Sequence, residues 1–136
     1  GLAVNYNVTA YVLVATPQIM TKKTGTPTLQ VPGVLVTFCI SFSNQSTLAS
    51  AMNLVLTDQV PKYPDGTGMV FYGAGAISEP AGGTITTSWA TAIGGPWTDG
   101  WPVAGFPVSG TGLLRWTVDV VGMKRTGAVC WRASIL

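Results

Sequence analysis

The chain has 136 residues, the length of one domain, and 47% of them are apolar while only 9% are charged. This hydrophobicity, together with an aromatic content of 10%, excludes an intrinsically disordered chain. The net charge of +2 comes without the dense basic surface that nucleic-acid binding requires, and no apolar run approaches the roughly 20 residues that cross a bilayer.

The N-terminal segment, residues 1–16, has the pattern of a long β-strand. Between residues 3 and 15 the side chains alternate between two faces, and β-branched residues are frequent. One face is almost wholly apolar and consists of Val4, Tyr6, Val8, Ala10, Val12 and Val14. Thr16 and Pro17 interrupt the pattern, so the segment is predicted to be a strand separate from the body of the domain.

The remaining chain, residues 17–136, is predicted to form one antiparallel β-sandwich. Short strands separated by turns rich in Gly and Pro are predicted at residues 18–24, 34–43, 52–60, 69–72, 84–91, 113–121 and 128–136. The clearest alternation places Val34, Val36, Phe38, Ile40 and Phe42 on one face. No window has a 3.6-residue apolar repeat, so the predicted fold class is all-β with Greek-key connections.

Residues 32–61 carry a resemblance to a known family. A turn at Pro32 and Gly33 precedes an alternating strand that ends at Asn44, and a second apolar strand ends with the sequence Asp-Gln-Val-Pro at residues 58–61. The closing strand, with Val129, Ala133 and Ile135, is also similar. In these features the chain resembles an immunoglobulin-like conserved repeat domain of unknown function found in bacterial and archaeal cell-surface proteins.

The resemblance covers residues 18–136 and implies an immunoglobulin-like antiparallel β-sandwich with a stalk, coat or filament role outside the cell. It implies no catalytic residue, cofactor or ligand. The N-terminal segment, which adds one strand, and the two cysteines depart from the family's pattern.

Two roles are open for the N-terminal segment. It is expected either to pair with an edge of its own sheet or to complete the sheet of a neighbouring copy, which is donor-strand exchange. Exchange is favoured because the segment is terminal, long and apolar on one face, and an unpaired apolar strand is an aggregation hazard. Head-to-tail exchange builds an open homopolymer, so the predicted function is a structural subunit of an extracellular filament or pilus.

Cys39 and Cys130 are the two cysteines of the chain, and in a secreted domain they predict a disulfide. Alternation places both on the less apolar faces of their strands, so they could not meet within one subunit if those strands lay in opposite sheets. A bond within the chain is the preferred prediction. A bond between subunits and two free thiols are the alternatives.

A loop rich in Gly and Pro at residues 94–106 contains Trp97, Trp101 and Phe106. With Asp99 beside them, these aromatic side chains could stack on a sugar. This gives the alternative function of a monomeric cell-surface stalk or carbohydrate-binding adhesin. Packing under the loop or in a subunit contact is the preferred interpretation, because so apolar a loop is rarely left exposed.

Catalytic and metal-binding patterns are missing from the sequence. It has no histidine, and its five acidic residues are scattered, so neither a paired general base nor a metal-ligand cluster is predicted. Asp58 is interpreted as a turn residue at the end of a strand, where its carboxylate bonds nearby backbone amides. The chain is therefore expected to be neither an enzyme nor a cofactor-binding protein.

The chain is expected to be secreted and to act at the cell surface. It begins at Gly1 without an initiator methionine, as a chain does after removal of a signal peptide. Two sequons, at Asn7 and Asn44, permit N-linked glycans. The predicted partners are copies of the chain itself, and attached glycans are a further expectation.

Overall fold

In the computed structural model the described residues, 16–27, 31–61, 68–108 and 111–136, form two antiparallel sheets and no helix. The strands are β1 (Ile19–Thr26), β2 (Leu35–Asn44), β3 (Ala51–Val60), β4 (Met69–Ser78), β5 (Ile85–Ala90), β6 (Thr98–Asp99), β7 (Gly112–Val121) and β8 (Thr126–Ile135). The first sheet has the order β1-β2-β8-β4 and the second β3-β7-β5-β6. The all-β antiparallel sandwich that the sequence predicted is confirmed.

The wiring of the two sheets is that of a jelly roll. If β2 to β8 are taken as jelly-roll strands B to F, H and I, the first sheet contains B-I-D and the second C-H-E-F, with β1 added outside β2. In a jelly roll, strand G lies outside β4. At that position the amide of Phe71 donates to the carbonyl of Phe106, and the amide of Gly105 donates to the carbonyl of Phe71, both at 2.7 Å.

This strand order differs from the immunoglobulin-like order. In the immunoglobulin fold the fifth strand lies between the second and the fourth, whereas here the last strand, β8, lies there. The physical reason is that alternation along a strand determines which face is buried. It does not determine which distant strand becomes the neighbour.

The core between the sheets is apolar and aromatic. β2 contributes the face that the sequence predicted, with Val36, Phe38, Ile40 and Phe42 all buried. Trp116 from one sheet and Trp131 from the other are completely buried. The ring of Phe71 stacks on Trp131 and on Trp101. Because each such ring removes roughly 150–250 Å² from water, this cluster supplies much of the hydrophobic stabilisation.

Two elements differ in extent from the sequence prediction. The predicted strand at residues 69–72 continues to Ser78, and its pairing with β8 contains two register shifts. A β-carbon at Gly75 would lie 2.6 Å from the carbonyl carbon of Cys130, so glycine lets the two backbones approach there. The predicted loop at residues 94–106 contains the two-residue strand β6, which pairs with β5.

Candidate functional site

One long side of the sandwich, where β1 and β3 lie, is open. β1 pairs with β2 and β3 pairs with β7, so each has one free edge among the described residues. The two strands belong to opposite sheets, and an ion pair between Lys23 on β1 and Asp58 on β3 shows that they lie on the same side. We call this region, the free edge of β3 with the inner face of β1, the open side.

The inner face of β1 extends beyond the opposite sheet. Thr21 and Lys23 lie opposite Phe42 and Ile40 of β2, so all four side chains point to the same, inner face. Phe42 and Ile40 are buried, whereas Thr21 and Lys23 are exposed. The difference arises because no described strand of the second sheet covers β1. A strand position beside β3 is therefore unfilled in the described part of the chain.

Asp58 is the buried polar centre of the open side. Its Oδ1 accepts hydrogen bonds from Nζ of Lys23 at 2.6 Å and from the backbone amide of Gln59 at 2.9 Å. Its Oδ2 accepts one from Nε1 of Trp131 at 2.9 Å. Its burial is compatible with a charge because each oxygen has a donor. The bond from the amide of Gln59 agrees with the sequence interpretation that Asp58 bonds nearby backbone amides. Its placement in a turn is wrong, since Asp58 lies within β3 and points inward.

The surroundings of Asp58 mix polar and apolar groups. The ammonium of Lys23 lies 4.8 Å from the ring centroid of Phe38. Inward-pointing charges at a sheet edge are one way in which proteins prevent unspecific strand pairing. Met52 and Val55, on the outer face of β3, are 68% and 53% exposed. The open side thus has one defined polar cluster and adjoins exposed apolar side chains on the outer face of β3.

The N-terminal segment joins the sandwich at the end of the open side where β1 and β3 begin. Gln18 is fixed there, because its amide donates to Oδ1 of Asn44 and its carbonyl accepts from the amide of Gln45. The predicted donor residues, Val4, Tyr6, Val8, Ala10, Val12 and Val14, and the sequon at Asn7 lie outside the described residues.

Asn44 is completely buried and joins four parts of the chain. Its Oδ1 accepts from the amides of Gln18 and Ser46, and its Nδ2 donates to the carbonyls of Ala49 at 2.8 Å and Val121 at 3.0 Å. An N-linked glycan would be attached to this same nitrogen, whose two hydrogens are both engaged. A glycan at Asn44 would therefore be incompatible with these hydrogen bonds of the folded chain, and glycosylation there stays a prediction.

Cys39 and Cys130 form a disulfide within the chain, as the preferred prediction stated. They lie directly opposite each other on the neighbouring strands β2 and β8, with their Cα atoms 4.1 Å apart. Both are on the outer face of the sheet, which is the face that alternation indicated. The two cysteines do not lie in opposite sheets, which would have prevented this bond, because β8 lies beside β2 in the same sheet.

Phe106 is part of the core, and Trp101 packs against it. The Phe106 ring is buried and packs edge to face on Trp89, with the centroids 5.1 Å apart. The half-buried Trp101 lies between Phe71 and Trp116, at 5.7 Å and 6.0 Å between centroids. Neither ring offers an exposed face of the kind that stacks on a sugar.

Trp97 lies apart from these rings, over the second sheet. Its ring centroid is 4.1 Å from the guanidinium carbon of Arg115, whose Nε also donates to Oγ of Ser88 at 3.0 Å. The cation–π contact holds Arg115 flat against the strand. The structure does not bring Trp97, Trp101 and Phe106 together on one surface.

Neither the side chains nor comparisons with known proteins indicate an activity. Within the described ranges, no three Cys, Asp or Glu side chains are placed so that they could hold a metal ion. No helix long and apolar enough to cross a membrane occurs in that part of the chain. No protein-family model matches the chain, and no curated protein or solved structure is similar enough to indicate a relative.

Proposed function

We propose that the chain is a repeating structural subunit of an extracellular filament, in which the N-terminal segment of one copy completes the open side of the next. The observation that carries this proposal is the unfilled strand position beside β3, opposite the exposed inner face of β1. An added strand would pair the free backbone groups of β3. It would also cover Ile19 and Leu54, which are only partly buried against the core.

The charged residues support a role among copies of the same chain. The carboxylates of Glu79 and Asp119 accept backbone amides of β5 and its flanks, and Asp58 is paired with Lys23. Arg115 is held between Trp97 and Ser88. With charged residues at 9% of the sequence, against about a quarter in typical domains, few charges are free for hydration. A subunit covered by its own copies needs fewer of them.

The disulfide supports a location outside the reducing cytosol, since such bonds persist mainly in oxidising compartments. The chain also has no histidine. The described carboxylates of Asp58, Glu79 and Asp119 are engaged in structural hydrogen bonds. We therefore propose a structural role without catalysis.

The alternative of a monomeric stalk or carbohydrate-binding adhesin has less support. Jelly rolls occur in both coat and lectin domains, and a fold alone does not specify either role. Two of the three candidate sugar-stacking residues, Trp101 and Phe106, are committed to the core. Trp97 is the remaining candidate, and its ring already faces Arg115.

Electron microscopy of the purified full chain beside a chain without residues 1–15 tests the proposal. We expect ordered filaments from the full chain and monomers from the shortened one. A head-to-tail contact gives an open filament unless its rotation closes a ring or shell, which the images distinguish. Fibres from the shortened chain, or only monomers from the full chain, would contradict donor-strand assembly.

A further inference from the structure

We infer that the N-terminal segment binds along the free edge of β3, antiparallel to it, with its apolar face turned towards β1. This inference names the acceptor site and rests on the proposed function only for the question of which copy supplies the strand. Four features support it: the direction in which the N-terminal segment enters the sandwich, the length of the segment, the alternation of its side chains, and the poorer fit of the other strand edges.

The direction follows from where the chain enters the sandwich. β1 and β3 begin at the same end, because Asn44 bonds Gln18 just before β1 and Ala49 just before β3. A segment that lies along the sandwich and leads into Gln18 at this end would have to start at the opposite end. Alongside β3 it would therefore run antiparallel. Strand exchange between identical copies reproduces the contacts that the same segment would make within one chain.

The length of the segment fits the edge. β3 has 10 residues, and at about 3.3 Å per residue its edge is roughly 33 Å long. Residues 3–15 in an extended conformation reach about 43 Å by the same rise. Residues 16 and 17 then connect the segment to Gln18, which is fixed at the start of β1.

The side-chain pattern fits the two surfaces that the segment would contact. Its six alternating apolar residues would face Ile19, Thr21 and Leu54. The residues that would face outward are Asn5, Asn7, Thr9, Tyr11 and Leu13. Because Lys23 and Asp58 are already paired, covering them leaves no charge without a partner. The Lys23–Asp58 pair therefore disfavours an added strand that would break it and leave one of the two charges buried without a partner.

The other described edges are poorer acceptors. The β4 edge is irregular, with two register shifts, and its first part is already bonded to residues 105–106. The outer edge of β1 is regular, but a strand added there would face no opposite sheet in the described chain. β6 has only two residues. The β3 edge alone among the described edges combines a ten-residue strand with an opposing face to cover, although Asn53 near its start has a positive φ of 54°.

Hydrogen exchange measured by mass spectrometry on the full chain tests the inference with the matched variants Val8→Glu and Thr9→Glu. Both add one negative charge, but only position 8 lies on the apolar face. In Val8→Glu we expect amides of residues 51–60 to exchange about tenfold faster or more, because the covering strand is released. Thr9→Glu should leave them unchanged, and residues 69–78 should be unaffected in both variants.

The inference is overturned if Val8→Glu leaves β3 exchange unchanged, or if the faster exchange appears at residues 69–78 instead. Val12→Glu is the second variant on the apolar face and should reproduce the result. Light scattering of the same samples separates the two proposals. Faster β3 exchange in a chain that is monomeric throughout supports the acceptor site and contradicts assembly. Loss of assembly with unchanged β3 exchange supports assembly through the segment and contradicts the acceptor site at β3.

Discussion

The carboxylate of Asp58 on β3 accepts a 2.9 Å hydrogen bond from the indole nitrogen of Trp131 on β8, so a polar contact joins the two sheets beside the aromatic core. Asp58→Ala leaves this buried donor without an acceptor. We expect the free energy of unfolding to fall by about 1–3 kcal/mol. Urea denaturation measures this change. Asp99→Ala, at an exposed position, is the control and should stay within about 0.5 kcal/mol of the parent.

Asn44 links the start of β1, the end of β2, the turn before β3 and the end of β7. Asn44→Ala removes hydrogen bonds to two buried carbonyls and two amides. We expect a loss of at least about 2 kcal/mol, because several buried groups lose partners at once. The neighbouring exposed change Gln45→Ala should cost less than about 1 kcal/mol. Equal thermal midpoints for the two variants would contradict the structural role of Asn44.

The disulfide closes a loop with a sequence separation of 91 residues. The double substitution Cys39→Ala with Cys130→Ala should lower stability by about 3–5 kcal/mol, since the unfolded chain regains the freedom that the loop removes. Guanidinium denaturation with and without a reducing agent gives the comparison for the parent chain. The parent's midpoint should fall on reduction and the variant's should not. A parent midpoint that does not respond to reduction would contradict this account.

The aromatic loop provides a prediction about packing. Phe106→Ala should cost about 3–5 kcal/mol, because it removes a buried ring from the core. Trp97→Ala should cost less than about 1 kcal/mol, because it removes mainly the contact with Arg115. Thermal unfolding of both variants measures the difference. A larger loss at Trp97 than at Phe106 would show that the two rings have been assigned the wrong roles.

The sequence predicted the features that depend on local pattern. Alternation identified the buried face of β2 and placed Cys39 and Cys130 on the opposite, outer faces. It also identified the sandwich as all-β. These predictions succeeded because a period of two is a local property that follows directly from strand geometry.

The missed features depend on distant residues. The partners of Asp58 are Lys23 and Trp131, which lie 35 and 73 residues away. The burial of Asn44 depends on the carbonyl of Val121, 77 residues along the chain. A sequon or a strand-end motif describes only its own few residues. It therefore gives no information about which of them the fold encloses or about the jelly-roll order of the strands.

The position of β8 has a consequence for synthesis. Strand β8 occupies the space between β2 and β4, so β2 can pair only with β1, and the β4 edge that faces β8 stays unpaired, until residues 126–135 have left the ribosome. Cys39 likewise has no intramolecular thiol to join before Cys130 is made. The first sheet therefore closes only after β8 has been translated. Until then the edges of β2 and β4 that face β8 remain unpaired, and unpaired strand edges of this kind are prone to aggregation during folding.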